Sequence, residues 1–372
     1  MASVDVSARM EPAGNRGTAP RDGRTGYPAE WMTPDEMKSI SKRSMSKALV
    51  LYFSHLSLYF ASLLGILAPW PLWVSLGFCL LNGFAIGLLY LIGHEAAHRS
   101  FAPGTVLNDW LARIAFIFPA HSRSVWAEAH NVIHHRFTNV LKKDGVWEPM
   151  TLEDYQNAGP LRRAYERFER SAFGGLTFYY WGILLTRGGL PFLMDTPNKW
   201  RRFAPDIAFM VLGVAALILF VGIIGPMLDP SRTFWGSVLL GWALPFMIGM
   251  WIISASIYLQ HTHPDILWFE SEDDWSYYEA QIKGSTDVIL PWVVRKAFPL
   301  YQEVMDHTAH HAYMTVPIYN VPAAQAAILR TYGDDVICYK LTLGRYLDIV
   351  RKCKLIDMKR RCWVDFDGNP TT

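Results

Sequence analysis

The chain has 372 residues, of which 51% are hydrophobic, 14% aromatic and only 18% charged, against roughly 25% charged residues in an ordinary soluble domain. This composition, with fifteen Trp, argues against a typical soluble domain and is typical of a membrane protein that places aromatic side chains at the lipid–water interface. The formal net charge of +2 excludes the strongly basic footprint of a nucleic-acid-binding protein.

The N-terminal residues 1–32 are rich in Gly, Pro, Ala, Arg and Asp and contain no apolar run, so we predict a disordered tail. A helix is predicted to begin at Thr33-Pro34-Asp35-Glu36, with Thr33 as its N-cap and Glu36 completing a capping box. We assign residues 33–330 to one membrane domain and residues 331–372 to a cytosolic C-terminal tail.

Two long apolar blocks predict four membrane spans. Residues 48–98 contain no Lys or Arg and can form two helices of about 20 residues each, separated at Pro69-Trp70-Pro71. The second block, residues 203–259, is broken by Asp229-Pro230-Ser231-Arg232. The predicted spans lie near residues 48–68, 72–93, 206–227 and 234–258.

The distribution of basic residues predicts the orientation of these spans. Four spans place both termini on one side, and the two short outer loops then hold one of the 35 Lys and Arg residues, Arg232. Basic residues favour the cytoplasmic side, so both termini are predicted to be cytoplasmic. The expected location is the inner membrane of a bacterium or the endoplasmic reticulum of a eukaryote.

Ten of the twelve histidines fall in four groups, which the predicted topology places on the cytoplasmic side. The groups are His94 with His98, His130 with His134 and His135, His261 with His263, and His307 with His310 and His311. Neutral imidazole is the commonest protein ligand of transition metals, and burying so many imidazoles without partners would cost free energy. The pattern therefore predicts a metal site.

Helical geometry predicts how these rings are directed. At about 100° per residue, His94 and His98 are about 40° apart, and the third box spans an arc of about 100°. His130 and His135 would differ by about 140°, so His135 is predicted to reach a second ion or a different ligand position. Eight box histidines and one from the fourth group make nine, which exceeds the four ligands of a zinc ion and suits two ions.

The three histidine boxes, HxxxH at residue 94, HxxxHH at 130 and HxxHH at 307, resemble those of the membrane fatty-acid desaturase and hydroxylase family. The similarity is closer to the acyl-lipid omega-6 (Δ12-type) desaturases and covers roughly residues 33–330. It is carried further by Tyr258-Leu259-Gln260-His261-Thr262-His263-Pro264 before the third box, by Pro317, Tyr319 and Asn320 after it, and by Asn139, Asp144 and Pro149 after the second.

Two features depart from the plant-type pattern. Ala96-Ala97 stand in the first box where plant-type relatives often have Cys-Gly. The second box has three residues between His130 and the histidine pair, where the plant enzymes have two. On an α-helix the extra residue shifts His130 by about 100° relative to that pair.

The resemblance implies an all-α integral membrane protein in which four transmembrane helices carry a cytosolic helical cap with a histidine-ligated di-iron site. It implies two iron ions, O₂ as co-substrate and two electrons for the introduction of a cis double bond into a lipid-linked acyl chain, at the Δ12 or omega-6 position. No His-Pro-Gly-Gly haem motif of a fused cytochrome b5 is present, so we expect a separate ferredoxin or cytochrome b5 as donor. The metal carries the chemistry because no side-chain base can deprotonate an unactivated methylene.

The ligands that the resemblance implies are His94, His98, His130, His134, His135, His261, His307, His310 and His311. His261 is preferred because it matches the family position and continues an apolar span, whereas His263 precedes Pro264 and remains a further candidate. Residues expected to hydrogen-bond the ligating imidazoles are Asp144, Asn139 and Asp306. His55 and His121 are predicted not to bind metal, and Glu95 is predicted to form a salt bridge or cap.

Other functions remain open at this stage. The same scaffold supports fatty-acyl hydroxylases, epoxygenases, acetylenic-bond-forming enzymes and carotenoid oxygenases, which these motifs do not separate. A histidine-rich metal transporter is the alternative from another class. A transporter would place ligands near the middle of its spans, whereas the predicted spans contain only His55.

Overall fold

The computed structural model describes residues 32–178, 183–184 and 188–372. The tail predicted to be disordered, residues 1–32, lies outside the described residues except for Met32. The chain divides into two compact units. We call Arg43–Ala129 with Leu176–Ala255 the membrane unit, and Met1–Lys42 with His130–Gly175 and Ser256–Thr372 the histidine unit.

The described residues are mostly helical, as predicted, but they also include two small sheets, which an all-α fold does not contain. The α-helices are α1 Pro34–Ile40, α2 Met45–Leu67, α3 Leu72–Ala97, α4 Thr105–Ala115, α5 Arg123–Ala127, α6 Leu152–Asn157, α7 Pro160–Glu169, α8 Gly174–Phe178, α9 Lys199–Leu228, α10 Phe234–Val238, α11 Leu244–His261, α12 Tyr277–Ile282, α13 Trp292–Ala297, α14 Pro299–Val304, α15 His307–Ala312, α16 Val321–Tyr332 and α17 Leu343–Lys352. π-Helical segments occupy Glu128–His134 and Leu239–Ala243, and a 3-10 turn occupies Ile318–Asn320. Strand β1 Thr286–Ile289 pairs in parallel with β2 Ile337–Lys340, and β3 Leu355–Asp357 pairs antiparallel with β4 Cys362–Val364.

Four helical stretches in the described part of the chain are long and apolar enough to cross a membrane. They are Pro34–Leu67, Leu72–Ala97, Lys199–Leu228 and Phe234–His261, and they correspond to the four predicted spans. Trp73, Leu212 and Trp235 on these helices are 75%, 70% and 73% exposed. Large apolar side chains that face outward from such helices are suited to contact with lipid.

Buried polar contacts and close packing hold the membrane unit together. Asn82 on α3 donates hydrogen bonds to Tyr59 O and Ser62 Oγ on α2, both at 2.8 Å. A Cβ atom at Gly83 would lie 2.4 Å from Ile248 Cγ2. The absence of a side chain at Gly83 therefore lets α3 approach α11 closely.

Arg232, the basic residue predicted for the outer loops, connects both short loops of the membrane unit. Its Nε lies 3.0 Å from Asp229 Oδ2. Its Nη2 donates to Ala68 O at 3.2 Å, after α2, and to Ser75 Oγ at 3.1 Å, on α3. The two inter-helical connections are thus joined at one end of this unit by a partly buried guanidinium.

The histidine unit is built around buried α15, the helix that carries the third box. The core that includes Ala309 contains side chains of α1, α12 and α16, among them Ile40, Ile282 and Ile328. The predicted capping box at the start of α1 is present, with Glu36 N 3.2 Å from Thr33 Oγ1. The boundary predicted at residue 330 falls inside α16, and β2 beyond it pairs with β1 before it.

Candidate metal centre

Buried side chains fix the first turn of α15. Thr308 N donates to Asp287 Oδ1 at 2.9 Å, and Ala309 N donates to Gln325 Oε1 at 3.0 Å. Gln325 Nε2 also donates to Asp287 Oδ2. The first amides of a helix have no partners within the helix, so these two side chains determine where α15 begins and how its three histidines are directed.

The second box lies on a π-helical segment. His135 N donates to His130 O at 3.1 Å, a hydrogen bond between residues five apart, which is the π-helical pattern. The Nε2 atoms of His130 and His135 are therefore only 3.2 Å apart. The prediction that His135 points well away from His130 is wrong, because a π turn accommodates one residue more than an α turn.

Seven histidines of the histidine unit form one contiguous group, which we call the histidine cluster: His130, His134, His135, His261, His307, His310 and His311. His135 Nε2 lies 3.1 Å from His310 Nε2. His307 Nε2 lies 3.0 Å from His261 Nε2 and 3.1 Å from His311 Nε2. The ligand atoms of His134, His261 and His311 lie within 4.8 Å of one another.

Buried acceptors orient two of these rings. His134 Nδ1 donates to Asp144 Oδ1 at 2.7 Å, and His311 Nδ1 donates to Gln281 Oε1 at 2.9 Å. Gln281 Nε2 in turn donates to His135 O at 3.0 Å. Hydrogen bonds of this kind fix the tautomer of a ligating imidazole and leave its Nε2 lone pair available.

Electrostatics favour a neutral His311 imidazole and a charged Asp144 carboxylate. Burial, together with neighbouring imidazoles, holds the pKa of His311 well below its ordinary value. Burial alone would raise the pKa of the Asp144 carboxyl, but its interactions with His134, His261 and the Asn139 amide together outweigh burial, so that pKa lies below its ordinary value. A neutral imidazole is the form that binds metal.

Asn139 contacts the histidine cluster through Asp144, and Asp306 directly precedes the third box. Asn139 N donates to Asp144 Oδ2 at 2.9 Å, so Asn139 holds the carboxylate rather than an imidazole. Asp306 is buried directly before α15, and its backbone forms an antiparallel bridge with Asp287.

The first box lies in the membrane unit at the end of α3. The ring centroids of His94 and His98 are 4.6 Å apart, as expected for residues four apart on a helix. His94 Nδ1 donates to Glu95 Oε1 at 3.1 Å, and Ser100 Oγ donates to Glu95 Oε2 at 3.1 Å. Glu95 therefore orients the His94 ring.

The structure leaves His55, His121 and His263 outside the cluster. His55 Nδ1 donates to Leu51 O at 2.6 Å, and His121 Nδ1 donates to Pro119 O at 2.7 Å. Burial lowers the pKa of His121 to about 4. The His263 ring stacks on Tyr339 with centroids 5.4 Å apart, and its Nδ1 accepts from Asp265 N at 3.2 Å.

No sequence motif pointed to Gln281, Asp287 or Gln325. Gln281 and His311 are thirty residues apart, and no motif or periodicity connects them. A Gln beside the apolar residues of a short helix is also common on protein surfaces. Only the tertiary structure, in which Gln281 is fully buried, shows that this amide contacts two box segments.

The histidine cluster has the chemistry of a metal site. Among the described residues, none forms a hydrogen bond with Nε2 of the fully buried His134. Three Nε2 atoms converge: that of His135 lies 3.2 Å from His130 Nε2 and 3.1 Å from His310 Nε2. Nitrogens bound to one ion at about 2.1 Å lie roughly 3.0–3.5 Å apart, and the separations of 3.0–3.2 Å observed in the cluster fall within that range.

The chain thus combines four candidate membrane spans with a buried group of histidines that could hold a metal ion. Residues 68–341 match the fatty acid desaturase family model, and the chain belongs to this family. It is 31% identical to an sn-1 oleoyl-lipid 12-desaturase of Anabaena variabilis over 72% of each chain, and 28% identical to one of Synechocystis sp. over 86% of each. A chloroplastic omega-6 fatty acid desaturase of Spinacia oleracea is 27% identical over 74% of this chain and 58% of its own.

Family membership confirms the resemblance read from the histidine boxes. The protein is an oxygen-dependent fatty acid desaturase, and therefore an oxidoreductase of lipid metabolism.

Proposed function

We propose that this desaturase introduces a cis double bond at the Δ12 position of oleoyl chains esterified in membrane lipids. The similarity to sn-1 oleoyl-lipid 12-desaturases, at 28–31% identity over 72–86% of the chain, carries this proposal. The segment from Tyr258 to Pro264 before the third box supports the same subgroup.

Expression in a host that lacks polyunsaturated lipids tests the position of the double bond. We expect linoleoyl chains to appear in gas chromatography with mass spectrometry of the host lipids, and positional lipase digestion to find them at sn-1. A variant with His310 replaced by alanine serves as the inactive control. A hydroxylated, epoxidised or acetylenic product, or a double bond elsewhere, would contradict the proposal.

We further propose that two iron ions are held by the nine histidines His94, His98, His130, His134, His135, His261, His307, His310 and His311. The short Nε2 separations support the seven residues of the histidine cluster. The proposed roles of His94 and His98 rest on the family box pattern and on their shared helix face. When bound, the iron pair would supply the oxygen activation and hydrogen-atom removal that no side chain can perform.

The protein's own part is to orient these ligands. Asp144 and Gln281 hold the Nδ1 protons of His134 and His311, so that both Nε2 lone pairs are available to metal. The π turn at the second box directs His130 and His135 toward one another. His261 is supported by the last turn of spanning helix α11, whereas His263 lies beyond it.

Replacing Asp144 with asparagine is expected to lower iron content and activity by about 10- to 100-fold, the usual effect of losing an outer partner of a metal ligand. A neutral amide accepts a weaker hydrogen bond from His134 Nδ1 and makes the imidazole less basic. Metal analysis and product yield of the purified variant provide the measurement. The matched control is Asp154→Asn at an exposed carboxylate that pairs with Lys142; equal iron and product in the two variants would show that Asp144 has no such role.

We propose that a separate ferredoxin or cytochrome b5 delivers the two electrons. The turn between β3 and β4 carries Lys359, Arg360 and Arg361, all exposed. A basic patch of this kind complements the acidic surface of a small donor protein and favours rapid association.

Both termini are proposed to be cytoplasmic, because the two short connections between spans hold few basic residues. A reporter that is active only in the cytoplasm should be active when fused after Thr372 and inactive when inserted after Asp229. The fusion after Thr372 reporting from the far side of the membrane would overturn the proposed orientation, and the shared sidedness of the boxes with it.

A further inference from the structure

A hairpin-shaped segment of the histidine unit, residues 286–306, begins with β1 and ends just before α15. Val288 N donates to Met305 O at 3.0 Å, and Gln302 Nε2 donates to Val288 O at 3.1 Å. Leu290 N donates to Gln302 Oε1 at 2.9 Å. The two arms therefore run antiparallel, and residues 291–298, which we call the tip segment, lie at the far end from Thr286 and Asp306.

Hydrogen bonds to the last turns of α11 give the direction of this hairpin. At its base, Thr286 Oγ1 donates to Leu259 O at 2.7 Å. Along the returning arm, Val304 O accepts from Gln260 Nε2 at 3.0 Å, and the Tyr301 hydroxyl is hydrogen-bonded to Ser256 Oγ.

The contact point thus moves from Gln260 back to Ser256 as the hairpin is followed toward its tip. Four helical residues correspond to about 6 Å along the axis of α11. Because α11 is a candidate membrane span that ends at His261, this direction leads toward the bilayer. The tip segment lies beyond Tyr301 on this hairpin, farther from the base at Thr286 and Asp306.

The side chains of the tip segment combine exposed apolar groups with positive charge. Trp292 and Val293 are 64% and 67% exposed, and Arg295 and Lys296 follow on the same short helix, α13. No acidic residue occurs between Asp287 and Glu303 in the sequence. Trp beside basic residues is the composition that anchors proteins at the membrane interface.

A second helix begins at the same edge and adds to this surface. Strands β1 and β2 are parallel, and Leu341 N donates to Ile289 O at 2.9 Å. The carboxyl ends of parallel strands share one edge, so α17 starts beside the start of α13. Leu343, in the first turn of α17, is 73% exposed and is followed by the exposed Arg345.

We propose that the tip segment and the first turn of α17 form a second bilayer contact, separate from the four spans. Trp292, Val293 and Leu343 would enter the boundary between headgroups and acyl chains, while Arg295 and Lys296 would bind phosphates of anionic lipids. A bilayer is favoured over an acidic protein because the exposed apolar side chains lie at the end of the hairpin directed toward the membrane. This proposal does not rest on the position or product of desaturation.

Fluorescence quenching in the full chain tests this contact. Trp292→Cys is made with the half-buried Cys338 and Cys362 changed to serine, labelled with a bimane probe and reconstituted in nanodiscs. Lipids with brominated acyl chains and aqueous iodide are the two quenchers. Glu153→Cys on α6 is the matched control, because the Glu153 side chain is also highly exposed. We expect the ratio of lipid to iodide quenching to be about tenfold higher at 292 than at 153.

The charge of the site is tested in the same preparation. In nanodiscs that contain phosphatidylglycerol, the probe at 292 should be more blue-shifted than in purely zwitterionic nanodiscs, and Arg295→Gln with Lys296→Gln should remove this difference. Iodide quenching at 292 equal to that at 153 would overturn the proposal. Shielding of the probe only after an acidic ferredoxin is added would also overturn it and would indicate protein docking instead. Neither the quenching nor the blue shift requires catalytic turnover. Failure of the proposed bilayer contact is therefore distinguishable from failure of the proposed reaction.

Discussion

Replacing His310 with alanine is expected to abolish product formation, with a loss of activity greater than about 100-fold. A loss of about 100-fold is the upper limit for removing a residue that only hydrogen-bonds a metal ligand. His310 is buried, and its Nε2 lies 3.1 Å from His135 Nε2. Removing this imidazole takes one nitrogen from three that converge. Iron analysis of the purified protein and lipid gas chromatography provide the measurement, and His98→Ala is expected to behave in the same way at the first box.

The control for this experiment is His121→Ala. His121 is as buried as His310, but its Nδ1 donates to a backbone carbonyl. It belongs neither to the histidine cluster nor to the first box. This variant should keep its iron and most of its activity, while all three variants should insert into the membrane like the parent protein. Near-normal product from His310→Ala would remove His310 from the proposed ligand set.

The second large effect is expected from a comparison of two histidines only two residues apart. His261→Ala should lose iron and activity, whereas His263→Ala should keep most of both. His261 Nε2 lies 3.0 Å from His307 Nε2, while His263 stacks on Tyr339 and accepts a hydrogen bond from the Asp265 amide. Helix α11 ends at His261, so only that ring has the rigid support that a metal ligand requires.

Both variants are made in the same membranes and compared by iron content per protein and by product yield. His263→Ala serves as the matched control, because it removes a buried imidazole of the same size from the same segment. The assignment of His261 would be wrong if His261→Ala kept full iron and activity while His263→Ala lost both.

The π turn of the second box explains how this chain carries three residues where plant-type boxes have two. An inserted residue in an α-helix would rotate His130 by about 100° away from the histidine pair. The i→i+5 hydrogen bond from His135 N to His130 O instead absorbs the extra residue within one turn. The different spacing is therefore compatible with rings that converge.

Local sequence patterns were sufficient to predict the candidate spans and the approach of His94 to His98. A membrane span can be predicted from its own apolar sequence, without knowledge of the segments it packs against. The reason is that the cost of placing polar groups in lipid applies to each segment separately. The four predicted spans accordingly coincide with α2, α3, α9 and the stretch Phe234–His261. The close approach of His94 to His98 followed in the same way, from the repeat of a single helix.

The tertiary structure alone decided the features that depend on residues distant in the chain. The hydrogen bonds from His311 to Gln281 and from Thr308 to Asp287 join segments that no spacing connects. The parallel pairing of β1 with β2 joins strands almost fifty residues apart, and each strand is too short to show a periodic signal. The π turn was missed because a histidine spacing is interpreted by assuming one helical repeat, whereas packing and hydrogen bonding select the repeat that the chain adopts.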